Sequence, residues 1–264
     1  MNGNARGLRL GVLCIGLLCI QWPAPVQAAP RRRLFEPTDL ELQDPGVAEF
    51  DMQYGLVRSD AYRLSCPDFE FNLGLTRTLE LDIDGEMAVG GPDNGDLILD
   101  HSAPDNLWIG PKVGLLTFED KTADLAWALG IQLGPKVPVA HGAHGVGFEG
   151  LTLLSFRIHR TYLVVNLGGL VDPAADASSP RPSGFEMGLD LNYPLNTAET
   201  WALTGEIGAV TYLSSDPNQL TTSLGITWSP FDYLDLSVVG VYGWLRGGDQ
   251  YGVLLGITPR VHLW

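Results

Sequence analysis

From residue 47 onward, apolar and polar residues alternate in one short segment after another. Ala48, Phe50, Met52, Tyr54 and Leu56 alternate with Glu49, Asp51, Gln53 and Gly55. Phe69, Phe71, Leu73 and Leu75 alternate with Asp68, Glu70, Asn72 and Gly74. Leu79, Leu81 and Ile83 alternate with Glu80, Asp82 and Asp84, and Met87 and Val89 extend the row past Glu86. The same period recurs at 125–134, 185–193, 220–228 and 251–261. A period of two puts one set of side chains on each face of an extended strand. Less regular strands near 107–117, 148–158, 162–169, 200–210 and 233–243 fall in the gaps. The chain therefore predicts an all-β fold, an antiparallel up-and-down barrel of about twelve strands.

The connections sort by length. The odd-numbered ones are read at 58–66, 90–106, 134–147, 170–183, 211–219 and 244–250. The even-numbered ones are read at 76–78, 118–122, 159–161, 194–199 and 229–232. In this reading every odd connection is longer than every even one. Transmembrane barrels have long outer loops and short periplasmic turns. An even strand count leaves both termini on the periplasmic side.

Aromatics add a third pattern. Phe118, Tyr162, Trp201, Trp228, Tyr233 and Trp264 fall near expected periplasmic strand ends. Tyr54, Trp108, Tyr242, Trp244 and Tyr251 fall near expected outer ends, while Trp127 is read as an ordinary mid-strand residue. Amphipathic rings favour membrane interfaces, so two girdles are expected. A soluble barrel would alternate in the same way, with its apolar face inward. The export signal, the sorted loops, the girdles and the terminal Trp264 decide for the membrane.

That export signal occupies residues 1–28. Arg6 and Arg9 precede an apolar run of eleven residues, Leu10 to Ile20, and Val26-Gln27-Ala28 fits the small-residue cleavage rule. The run is too short for a spanning helix, which needs roughly 20 residues. Residues 29–46, with Arg31-Arg32-Arg33, Pro37 and Pro45, read as a flexible periplasmic leader, and 47–264 as the barrel. Of three cysteines only Cys66 survives cleavage, so neither an intramolecular disulfide nor a cysteine-based zinc site is expected. Without Arg6 and Arg9 the chain carries 14 Lys+Arg against 31 Asp+Glu, a formal charge of −17. That charge argues against nucleic acid as a partner, and the 45% hydrophobic content argues against disorder.

The segments Glu36 to Gly46, Glu70 to Gly85, Gly145 to Glu149 and Thr258 to Trp264 resemble a family of proteobacterial outer-membrane barrels. These are labelled transporters of the phenol-degradation MetA-pathway type. The resemblance implies a location in the bacterial outer membrane and a role in moving small molecules, aromatic or apolar ones included. Outer-membrane lipids and the barrel-assembly machinery are the implied partners. One departure stands at the C-terminus. Barrels commonly end in an aromatic with apolar residues at every second position before it, but here His262 and Arg260 share the phase of Trp264.

The first three strands hold the most informative polar residues. Glu49 and Asp51, Asp68 and Glu70, and Glu80, Asp82, Asp84 and Glu86 share the inward phase. If 76–78 closes a symmetric hairpin, Glu70 opposes Asp84 and Asp68 opposes Glu86. Directly opposed like charges are destabilising. Protonation, bound cations, or Lys112, Arg157 and Arg260 reaching in would relieve them. The functional reading is a cation-attracting wall; the structural one is a salt-bridged interior. No metal site or cofactor is expected: His141 and His144 lack further ligands nearby, and no calcium-loop pattern occurs. No enzyme motif appears. The sequence thus predicts a passive channel. The alternatives are a non-conducting structural or surface-interaction barrel and an outer-membrane phospholipase built on Ser155 and His159.

Overall fold

The computed structural model describes residues 42–58, 62–90, 106–139, 143–174, 177–213, 216–245, 247 and 250–264. The expected signal peptide and most of the expected leader lie outside these residues. Twelve strands form in order: β1 (Val47–Arg58), β2 (Tyr62–Thr76), β3 (Leu79–Gly90), β4 (Leu107–Asp120), β5 (Leu125–Val137), β6 (Gly147–Ile158), β7 (Thr161–Val171), β8 (Ser183–Pro194), β9 (Trp201–Tyr212), β10 (Gln219–Phe231), β11 (Leu234–Gly243) and β12 (Tyr251–His262). Each pairs antiparallel with its sequence neighbours, and β12 closes on β1. Closure leaves no unpaired edge, which a strand fold needs in lipid. The expected hairpin register holds: Glu70 opposes Asp84 and Asp68 opposes Glu86.

The loop sorting holds less strictly than expected. β2 begins at Tyr62, so the first outer connection is only 59–61 and not 58–66. The reason lies at Pro67. Proline has no N–H for the ladder, and β2 takes up a bulge between Ser65 and Asp68 that breaks the alternation. β5 likewise runs to Val137, beyond the 133 read from sequence. The longest even-numbered turn, 195–200, exceeds that first loop.

The short turns are tightly built. His159, Asp124 and Glu199, all at turns of this end, take left-handed φ of 52°, 49° and 53°. Asp120 accepts hydrogen bonds from the Thr122 and Ala123 N–H groups at 2.9 and 3.2 Å. Asn196 accepts one from Thr200 N–H at 2.9 Å.

The seam between β1 and β12 is extended by Leu263 N–H donating to Gly46 C=O at 2.7 Å. Gly46 has φ of +83°, and a Cβ there would lie 2.7 Å from the Trp264 carbonyl oxygen. An L side chain is strained in that conformation and collides as well. Gly46→Val is therefore expected to destabilise the barrel by about 1 kcal/mol or more, read as a lower temperature for the heat-induced gel shift.

Large apolar side chains point outward around the barrel: Phe50, Leu167, Phe185, Leu224, Val238 and Leu255 are between 45% and 62% exposed. In water this would be an apolar surface far beyond that of ordinary monomers. As a belt it meets acyl chains. Stacked pairs Trp201–Trp228, Phe231–Tyr233 and Phe118–Trp127 sit at the turn end. At the loop end Tyr242 meets Trp244 edge-on, and Arg58 lies over the Tyr251 ring. Trp127 thus belongs to the girdle, contrary to the mid-strand reading. Trp108 and Tyr162 do not. Trp108 is 3% exposed and faces inward on the row of Gly110 and Lys112. Tyr162 shares the inward row of Val164 and Asn166.

Candidate functional site: the inner wall

The alternation that greases the outside lines the inside with polar groups. Every strand contributes an inward residue at most 3% exposed, Glu49, Asp82, Lys112, Leu153, Thr204 and Val239 among them.

Of the eight acids expected to line the wall, Glu49, Asp51, Asp68, Glu70, Glu80, Asp82 and Asp84 have described side chains, and they lie on β1, β2 and β3. Asp51, Glu70 and Asp84 form one rung across β1, β2 and β3; Glu49, Asn72 and Asp82 form the next. Glu49, Asp51, Glu70, Glu80 and Asp82 are buried, while Asp68 and Asp84 are half-buried. Glu86 pairs with Asp68 through its backbone; its side chain lies outside the described ones. Among the described residues no three His, Cys, Asp or Glu side chains converge into a metal cage.

Basic side chains reach in at two of the three expected places. Lys112 is 1% exposed and sits 2.9 Å from Glu80 and 3.7 Å from Asp82. It reaches them because Lys112 of β4 is the rung neighbour of Glu80. Arg260 bridges the closing seam: its guanidinium binds Glu49 of β1 and lies 2.7 Å from Asp235 of β11. This explains the charged residue in phase with the terminal aromatic. Arg157 does not reach the wall. The bulge between Gly114 and Leu116 turns Glu119 inward, and Arg157 pairs with Glu119 at 2.9 Å, at the exposed turn end.

Other groups escaped the sequence reading. Lys136 joins Glu149 at 2.9 Å and Asp172 at 3.1 Å toward the loop end. Asp190 and Glu206 form a rung on β8 and β9. Apolar side chains also face inward: Leu151 and Leu153 against Ala128, and Val57, Val239 and Leu254 against Val241. A signal was present in the doublets Leu153-Leu154, Val238-Val239 and Leu254-Leu255. Two adjacent apolar residues in a strand must place one on each face.

The chain before β1 also touches the interior. The Gln43 N–H donates to a Glu80 carboxylate oxygen. Gln43 and Asp44 cross Gly74 so closely that a Cβ there would lie 2.2 Å from the Asp44 carbonyl oxygen. Gly74 shares the inward row of Asn72, so only glycine admits this crossing.

Ser155 and His159 stand on different elements, β6 and the turn after it. His159 is exposed in the β6–β7 turn, with its ring 3.4 Å from Asp124. Ser155 lies within β6, opposite Ala128 and Val164. Among the described residues no hydrogen bond joins Ser155 to His159.

No protein-family model matches the chain, and no curated protein is similar to it in sequence. Solved structures are similar in shape. A COG4313 outer membrane channel from Pseudomonas putida F1 superposes with a TM-score of 0.56 at 10% identity, covering 86% of this chain and 99% of that one. The NanC porin gives 0.56 at 8% identity, covering 81% and 98%. The KdgM porin gives 0.50 at 6% identity, covering 80% and 99%. The fold is that of bacterial outer-membrane β-barrels. At these identities the likeness speaks for architecture, and the belt and girdles of this chain agree with it.

Proposed function

We propose that this barrel is a passive outer-membrane channel for small solutes, with cations favoured over anions along the β1–β3 wall. One observation carries the reading: a closed barrel whose outer face is apolar and whose inner face carries polar side chains from every strand. Such a wall encloses a path for polar solutes, and carboxylates lining it raise the local cation concentration. We also infer kinship with the transporters of the phenol-degradation MetA-pathway type, on the segments Leu79 to Gly85 and Thr258 to Trp264. In that setting the partners are the lipids around the belt, the machinery that assembles barrels, and a small solute.

Planar-bilayer recording tests the channel. Purified protein is expected to give discrete conductance steps, with a reversal potential in a KCl gradient that reports cation preference. Changing Glu80→Gln, Asp82→Asn and Asp84→Asn together is expected to shift that potential toward zero. Unchanged selectivity would remove the wall from the account, and a silent wild-type protein would remove the channel. The inward apolar clusters at Leu151 and Leu153 and at Val57, Val239 and Leu254 favour a second reading, a structural barrel without conductance, which the silent result would support.

A further inference from the structure

We propose that residues 42–44 form a strap seated across the inner face of β2, β3 and β4, which narrows the path through the barrel at its turn end. This rests on the channel reading and deepens it by naming what sets the width.

A turn sends the chain back inside. Val47 N–H donates to Asp44 C=O at 2.9 Å, which closes Asp44-Pro45-Gly46-Val47 as a β-turn. Proline at the second place and glycine with φ of +83° at the third are the residues that a type II turn favours. The chain ahead of β1 is thereby folded back over the rim.

Contacts on three successive strands mark its course. On β2, a Cβ at the inward Gly74 would meet the Asp44 and Gln43 carbonyl oxygens at 2.2 and 2.5 Å. On β3, Glu80 accepts a hydrogen bond from the Gln43 N–H. On β4, a Cβ at Gly114 would meet Leu42 Cδ1 at 3.2 Å. Gly74, Glu80 and Lys112 share one rung, and Gly114 follows Lys112 on the same inward row. All three points lie on the inner face, so Leu42 to Asp44 takes up space within the ring of strands. Gln43 is accordingly only 7% exposed, although it belongs to no strand.

The seat is also one that can be left. The bond from Gln43 N–H to a carboxylate is charge-assisted and holds the strap at one point. The Gln43 side chain adds no such hold: its Nε2 is buried without a hydrogen-bond partner among the described residues. A buried donor left unpaired costs free energy that water returns on release. Glycines within strands mark places where another backbone approaches closely, and Gly74 provides that place here. Pore width decides which solutes pass, so an insert at this position acts directly on passage.

Two variants unseat the strap from opposite ends. Gly74→Val puts a side chain where the Gln43 and Asp44 carbonyls lie, and Gly114→Leu fills the place of the Leu42 side chain. Neither removes a charge, so the acids of β1–β3 stay as they are. Single-channel conductance of the purified full chain in planar bilayers is expected to rise severalfold in either variant. The strap's position is read separately, by labelling Gln43→Cys with a water-soluble maleimide in a Cys66→Ser background. The bond to Glu80 uses the backbone N–H, so this substitution leaves it in place. Labelling is expected to be slow with both glycines present and severalfold faster in either variant. Fast labelling of the starting protein would overturn the proposal, as would equal rates in all three proteins, or unchanged conductance where labelling is fast. If Gly74→Val fails to fold, Gly114→Leu decides alone. Proteins that stay silent with and without the strap seated remove the channel reading, whereas equal conductance in all three keeps the channel and removes the strap.

Discussion

Replacing Lys112 with methionine is expected to lower the unfolding free energy of the barrel by about 3–5 kcal/mol. The ammonium is almost fully buried and stands 2.9 Å from Glu80, itself fully buried, and 3.7 Å from Asp82. Removing it leaves two shielded carboxylates facing each other's charge and further acids on the adjoining rungs. Breaking one side of a buried pair costs far more than the pair contributes, because the remaining charge keeps its desolvation penalty. Reversible urea unfolding in lipid or detergent measures the loss. Adding Glu80→Gln and Asp82→Asn to the Lys112→Met protein should recover much of it. A Lys112→Met barrel as stable as the wild type would show that the wall holds its charges without this cation.

Val238→Arg is expected to cost about 2–4 kcal/mol in a bilayer, the penalty for a charge at the midplane of a lipid-facing strand. Val238 is 54% exposed at the middle of β11. At an equally open position on a water-soluble protein, a substitution of this kind changes stability by about 0.5 kcal/mol or less. The sign and size of the effect thus report which solvent touches this face. The measurement is folding into vesicles under urea. Val238→Leu serves as the apolar control.

Much of this architecture could be read from residue order, because strand alternation has a fixed period and the 76–78 turn fixes a register. Leu79 to Asp84 and Phe69 to Leu75 could pair in few other ways without turning the acids to the outside. What could not be read lies where the period slips. Pro67 and its bulge hid the start of β2. The bulge after Gly114 turned Glu119 toward Arg157 and took that arginine away from the wall. Trp108 looks like a girdle residue by position, and only the inward phase of Lys112 shows otherwise.

Charge partners were legible only in part. Lys112 is one rung from Glu80, so proximity in the sheet suffices to find it. Arg260 meets Glu49 only because β12 closes on β1, a contact between residues far apart in the chain. Asp190 and Glu206 each sit in an ordinary alternating strand. Only the register of β8 on β9 makes them neighbours on one rung. Local pattern sets the elements; long-range closure sets the site.

The most direct measurement attaches a nitroxide at Leu224, outward on β10, with the protein in lipid vesicles, and compares its relaxation by molecular oxygen and by a water-soluble nickel chelate. Lipid contact predicts strong relaxation by oxygen and little by nickel. The opposite order, nickel dominating at Leu224, would mean that this surface faces water, and neither the membrane location nor the enclosed path would survive.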